Sequence, residues 1–158
     1  MIRALVITAS NRAAGGVYED KSGRLLYGLL EESGCTVDGP VVVRDGEPVY
    51  EALVKGLESA YHVIVTTGGT GLTPTDLTPE MTARVLDREI PGIAEAIRQA
   101  NSEKVPTSVL SRGLSGQAGK TLIVNLPGST GGVRDGMAVL GPVLGHAVDQ
   151  IRGGDHRV

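Results

Sequence analysis

The chain has 158 residues, of which 41% are hydrophobic, and a formal charge of −3. That length suits one ordinary domain with its own core and is short for two. With no Phe or Trp and only four Tyr the core must be aliphatic, and the chain offers neither the aromatic platform of a base-stacking binder nor the basic footprint that draws a protein onto nucleic acid or an anionic membrane.

Residues 2–9 (IRALVITA) form an apolar run that ends in Ser10-Asn11-Arg12 and two glycines, the pattern of a strand followed by a loop. The loop closes with Glu19-Asp20-Lys21-Ser22-Gly23. Leu25, Leu26, Leu29 and Leu30 then recur at helical spacing, and Gly34 stands where a helix C-terminus needs a left-handed residue. A second strand is predicted over 37–43. Glu47-Pro48 opens a helix with Leu53, Val54 and Leu57 on one face, and residues 63–65 form a third strand. Thr78-Pro79-Glu80 reads as an N-cap, a Pro at the first helical position and an acid in the first turn, so a helix is expected through about Glu89. Ile90-Pro91-Gly92 breaks it, and helical spacing resumes over 93–100. Residues 109–114 and 121–126 are strand candidates joined by a loop over 116–119, which suggests an antiparallel pair. Val133, Met137, Leu140, Leu144, Val148 and Ile151 mark a last helix, which Pro142 is expected to kink or split. One domain over 1–152 and a loose tail over 153–158 complete the expectation.

No apolar run approaches the roughly 20 residues of a membrane helix, and Met1-Ile2-Arg3 leads straight into strand-like sequence, so a cytoplasmic location is expected. Strands alternating with helices indicate an α/β sandwich with a mainly parallel sheet, in which ligands bind beyond the strand C-termini. That rule selects the loops 10–23, 44–47, 66–76 and 127–132. Cys35 is a lone cysteine best read as a small core or loop residue, and His62, His146 and His156 are scattered rather than clustered. Two tempting motifs fail. Gly113 and Gly119 before Lys120-Thr121 are separated by five residues instead of the four of a P-loop, and the segment leads into a strand. Gly69-Thr70-Gly71 begins a dinucleotide fingerprint whose third glycine is replaced by Pro74.

Thr66-Thr67-Gly68-Gly69-Thr70-Gly71 follows a buried-looking strand, where glycines let the backbone approach a ligand and gather N–H groups into one concavity. Asn125-Leu126-Pro127-Gly128-Ser129-Thr130-Gly131-Gly132 repeats the arrangement between a strand and a helix, so the two loops could flank one anionic ligand. Asp76 beside such a cradle would repel an anion unless a divalent cation intervened. Mg²⁺, which takes one or two carboxylates together with phosphate oxygens, would resolve the conflict, with Asp45 as the second carboxylate. The plainer alternative is that Asp45, Asp76 and Asp20 cap turns or helices.

Together, Asp20-Lys21-Ser22-Gly23, the glycine loop, Asp76 with Thr78-Pro79-Glu80, Ser111-Arg112 and the 125–129 segment resemble the MogA/MoaB family of molybdenum-cofactor biosynthesis, in order and spacing over nearly the whole chain. The resemblance implies a three-layer α/β/α molybdopterin-binding fold with a mostly parallel sheet, commonly a homotrimer. Catalytic members transfer AMP from Mg·ATP to the terminal phosphate of molybdopterin, giving adenylyl-molybdopterin and pyrophosphate. It further implies Asp45 and Asp76 as catalytic and Mg²⁺-binding residues. Thr67, Gly68, Gly69, Thr70, Gly71, Ser111, Pro127, Gly128 and Ser129 are implied as molybdopterin- and ATP-binding positions, and other molybdenum-cofactor biosynthesis proteins as partners. Arg12, Lys21 and Arg112 are candidates to assist, against the commoner fate of a solvated surface charge. Asn11, Thr75 and the Ser129-Thr130-Gly131-Gly132 run depart from the usual pattern of Asp, Arg and Ser-Pro. A non-catalytic molybdopterin-binding or scaffold homologue is the alternative function.

Overall fold

The computed structural model describes residues 1–16 and 19–154. Its strands are β1 (Ile2–Ala9), β2 (Cys35–Val43), β3 (Val63–Thr67), β4 (Arg88–Glu89), β5 (Ser115–Ala118) and β6 (Thr121–Leu126). They form one sheet in the order β2-β1-β3-β6-β5-β4. The first four strands in that order run parallel, while β5 is antiparallel to both β6 and β4. The helices are α1 (Asn11–Ala14), α2 (Lys21–Glu32), α3 (Glu47–Glu58), α4 (Thr78–Ala83), α5 (Pro91–Gln99) and α6 (Thr130–Ile151), with a 3₁₀ turn at Pro106–Leu110.

The central strands are mainly aliphatic on both faces because both are covered, with polar residues such as Thr66, Thr67 and Asn125 confined to their C-terminal ends and Arg3 and Thr121 near their starts. Ala4, Val6, Val63, Val65, Leu122 and Val124 point to one side, where Leu26, Leu30, Ile97, Val133, Met137, Leu140 and Leu144 of α2, α5 and α6 pack on them. The alternate residues Leu5, Ile7, Ile64 and Ile123 point to the other side, against Val49 and Leu53 of α3. The result is the expected three-layer α/β/α sandwich. Pro40 lies on the edge strand β2, where a missing N–H is tolerated, and the β1–β2 register shifts beside it between Leu5 and Ile7. Asp20 is the N-cap of α2, and Gly34 takes the left-handed conformation just past that helix (φ 93°). Cys35 is buried at the start of β2.

Five expectations need correction. The helix from Thr78 stops at Ala83, because the chain beyond it is captured by the sheet edge. The Asp87 N–H donates to the Gln117 carbonyl (2.8 Å), and Arg88 and Glu89 pair with Gln117 and Gly116 as β4. Residues 109–114 are not a strand. Pro106 starts a 3₁₀ turn that leaves Val109 and Leu110 exposed, and the strand begins later, at Ser115. The expected loop over 116–119 is thus mostly β5, with Gly116 giving room for β4. A Cβ there would lie 2.6 Å from the Arg88 carbonyl oxygen. Pro142 does not split the last helix, which runs unbroken for 22 residues. Ala138, whose carbonyl loses its helical partner to the proline, lies on the exposed face where water can substitute. Finally, Thr78 is the first residue of α4 rather than its cap, and its hydroxyl is used elsewhere. Gly153 and Gly154 close the end of α6 by hydrogen bonds to the Gln150 and Asp149 carbonyls, and the rest of the expected tail lies outside the described residues.

Candidate functional site

The C-terminal ends of β1, β2, β3 and β6 deliver the four selected loops to one side of the sheet. The loop after β3 and the loop after β6 touch. Thr67 Oγ1 donates to the Pro127 carbonyl (2.7 Å) and the Gly68 N–H to the Leu126 carbonyl (3.1 Å). Below them, Asn125 is a buried bolt. Its amide nitrogen donates to the hydroxyls of Thr66 and Thr82 (both 3.0 Å) and its oxygen accepts from the Leu114 N–H (3.0 Å). With every polar atom matched, this network fixes the loop bases at little desolvation cost.

The joined loops form a ridge between two cavities. One, of about 370 Å³, is lined by Thr8, Ser10, Asp20, Lys21, Thr67, Gly68, Gly69 and Gly128. The other, of about 360 Å³, is lined by Thr70, Gly71, Ser111, Pro127, Ser129 and Gly131 of the loops, with Val105, Leu110, Ser108 and Asp135 opposite. Neighbouring residues of each loop therefore face different cavities, of which the first is the more polar and the second mainly apolar. All nine loop and serine positions expected to bind ligand line one cavity or the other.

Asp45 and Asp76 stand against the glycine loop itself. A Cβ on Gly69 would lie 2.1 Å from Asp45 Oδ2 and 2.2 Å from Thr78 Oγ1, and one on Gly71 would lie 2.8 Å from Asp76 Oδ2. Asp45 is heavily engaged. Its Oδ1 accepts from the Gly46 N–H (2.7 Å) and the Thr78 hydroxyl (2.9 Å), and its Oδ2 from the Leu77 N–H (3.1 Å). Asn11 supports it from behind by accepting from the Asp45 N–H (3.1 Å), an acceptor role that Asn fills without adding a further negative charge. Asp76 is held through Oδ2 alone, which accepts from the Thr73 N–H (3.0 Å) and hydroxyl (2.8 Å). Among the described residues its Oδ1 is left for another ligand. Asp20 caps α2, accepting from the Gly23 N–H (2.9 Å) and the Thr8 hydroxyl (2.8 Å), while lining the first cavity. Turn-capping and proximity to the small-residue loops thus coexist in all three aspartates.

Arg112 departs furthest from its expected fate of a solvated charge. Nε donates to the Gly71 carbonyl (2.8 Å), Nη2 to the Asp76 carbonyl (2.7 Å) and Nη1 to Glu80 Oε2 (2.6 Å). The hydrogen bond to Glu80 raises the arginine pKa above its already high value, and the fields of Glu80, Asp76 and Asp45 add in the same sense while burial opposes them. The same bond lowers the Glu80 pKa below the usual carboxylate range. The Ser-Arg and Thr-Pro-Glu motifs held this signal, but nothing in their spacing says that they meet.

The family described as a probable molybdopterin binding domain matches residues 5–146. A protein of Helicobacter pylori named molybdopterin adenylyltransferase is 36% identical over 152 residues, covering 94% of this chain and 86% of its own length. Among solved structures, the molybdopterin biosynthesis Mog protein from Mycobacterium ulcerans is 56% identical, with 96% of this chain and 99% of that chain covered and a TM-score of 0.91. The molybdopterin biosynthesis enzyme MoaB from Thermus thermophilus is 36% identical, with coverage of 99% and 100% and a TM-score of 0.90. The ridge, its two cavities and its flanking aspartates are therefore those of a member of the MogA/MoaB family of molybdenum-cofactor biosynthesis, to which this chain belongs.

Proposed function

We propose that the chain is a molybdopterin adenylyltransferase, transferring AMP from ATP to the terminal phosphate of molybdopterin in a Mg²⁺-dependent reaction that releases pyrophosphate. The observation that carries this reading is the shared wall. Two cavities of similar size meet at a ridge of small residues whose backbone can approach phosphate from both sides. The name of the Helicobacter pylori relative supports the same chemistry.

The residues fit Mg²⁺. Two carboxylates flank the loop, Asp76 keeps an oxygen to offer, and this ion is commonly bound by one or two carboxylates completed by phosphate and water. When bound, it would supply neutralisation of the phosphate charge that otherwise keeps two anionic substrates apart. The chain's own task is positioning. Backbone N–H groups of the two loops orient the phosphates, Thr67 and Asn125 hold the ridge rigid, and the molybdopterin phosphate itself attacks the α-phosphorus in line with departing pyrophosphate. No side-chain nucleophile is needed.

Incubation with molybdopterin, ATP and Mg²⁺ is expected to yield adenylyl-molybdopterin, with Asp76→Ala losing at least about 10²-fold of the rate. Wild type that makes no more product than Asp76→Ala sinks the reading. A second reading, a non-catalytic molybdopterin carrier or scaffold, is favoured by one observation: both oxygens of Asp45 already serve the fold. Tight molybdopterin binding with no ATP turnover would select it.

A domain spanning 1–152 acting as a cytoplasmic homotrimer alongside other cofactor-biosynthesis proteins completes the proposal. No helix among the described residues is long and apolar enough to cross a membrane. Sedimentation showing only monomer at micromolar concentration would contradict the trimer.

A further inference from the structure

We infer that Arg112, oriented by Glu80, is a positioning residue that places Asp76 for its work at the ridge; this rests on the proposed role of Asp76 in holding Mg²⁺. The turn carrying Asp76 is closed locally. The Asp76 N–H donates to the Thr73 carbonyl (3.0 Å), and Thr73 donates twice to Asp76 Oδ2. Those bonds set the shape of the turn but not where it sits. Beyond it, Leu77 and Thr78 are tied to Asp45 and Gly69, and at the two ends of the turn, the Gly71 and Asp76 carbonyls, one guanidinium holds both.

The Arg112 backbone docks on the same loop, its N–H donating to the Thr70 carbonyl (2.8 Å), so side chain and main chain grip one segment together. Glu80 on α4 takes the third face of the guanidinium and fixes its rotation (2.6 Å). The three-point fork is specific to arginine: lysine would keep the charge but could not span two carbonyls and a carboxylate in one plane. Residues 72–75 are exposed, so within the turn itself no core packing duplicates the fork. Arg112 would therefore serve a bound Mg²⁺ chiefly by placing the Asp76 turn.

The test uses the full chain as wild type, Arg112→Lys, Glu80→Gln, Asp76→Asn and the Arg112→Lys/Asp76→Asn pair. Adenylylation is measured against Mg²⁺ concentration, and backbone amide exchange is measured without ligand. Arg112→Lys is expected to raise the half-saturating Mg²⁺ concentration by about 10-fold, the usual scale for losing a group that orients a metal ligand. The KM for molybdopterin should move far less, and Glu80→Gln should fall between wild type and Arg112→Lys. In the Asp76→Asn background, Arg112→Lys should add nothing, since its effect runs through that carboxylate. Without ligand, the Thr78 amide, which bridges to the Gly69 carbonyl, should exchange roughly tenfold faster in Arg112→Lys, while the core amides of β3 and β6 keep their wild-type protection. Unchanged Thr78 exchange, a wild-type Mg²⁺ response in both single variants, or additive effects in the double variant would each overturn the inference. If wild type shows no adenylylation at any Mg²⁺ concentration, the functional reading falls and the exchange measurement alone decides the positioning role. If Arg112→Lys does not fold, Glu80→Gln carries both measurements.

Discussion

The two small-residue loops of the ridge look alike in sequence and are held by different physics. The loop at 66–71 is shaped from outside. Gly68 sits against the Ala9 carbonyl, where a Cβ would come within 2.3 Å, and Gly69 against Asp45 and Thr78, both at positive φ (96° and 70°). Past its contact with the first loop at Pro127 and Gly128, the loop at 127–132 is shaped from within. Ser129 caps α6 by accepting from the Gly132 N–H (3.0 Å), and Gly131 has open space around it. The first loop is thus a tertiary structure that needs its partners in place. The second is a helix N-terminus that forms by local rules. A glycine-rich segment in a sequence does not reveal which kind it is.

Substitutions should separate the two loops in a definite order. Gly69→Ala is expected to have the largest effect, about 2–5 kcal/mol of lost stability in urea unfolding, because it combines a left-handed backbone with a clash against the Asp45 carboxylate and the Thr78 hydroxyl. A loss below about 1 kcal/mol would mean that the loop can shift away from Asp45. Ser129→Ala should cost about 1 kcal/mol, the scale of a single helix cap, by the same titration. Gly131→Ala should change sign, stabilising by up to about 1 kcal/mol, since it enters the first turn of a helix with nothing in its way. Destabilisation there would show that the second loop is also held from outside.

The smallest effect concerns pH. Arg112 depresses the Glu80 pKa in the folded chain, so the stabilisation is fully present above the unfolded value of about 4.3 and fades as pH falls through the lower folded value. Glu80→Gln should therefore lose less stability than wild type on acidification below about pH 4.5. The side chain is half exposed (49%), so water and salt keep the difference small.

Much of the fold was legible because burial on both sheet faces leaves continuous aliphatic strands, and because capping residues such as Asp20 and Gly34 act locally. The location of the glycine loops and of Asp45 was legible for a related reason: each follows a strand within a few residues, on the side where an α/β sheet presents its ligands, and Asp76 belongs to the loop that begins there. What escaped were contacts across long stretches of chain. Thr78 reads as a cap but gives its hydroxyl to Asp45, 33 residues away. Glu80 reads as a dipole partner but holds Arg112, 32 residues away. Strand β4 is two exposed charged residues whose only claim to be a strand is the neighbouring edge of β5. Periodicity cannot register such features, because the partner, not the segment, decides them.

Whether the two cavities hold an AMP donor and a pterin phosphate at one ridge is best decided by following the α-phosphate of labelled ATP with wild-type protein, molybdopterin and Mg²⁺. We expect label covalently attached to molybdopterin, with one pyrophosphate released per label transferred. Label recovered only in ATP or free AMP, with both ligands bound, would contradict it.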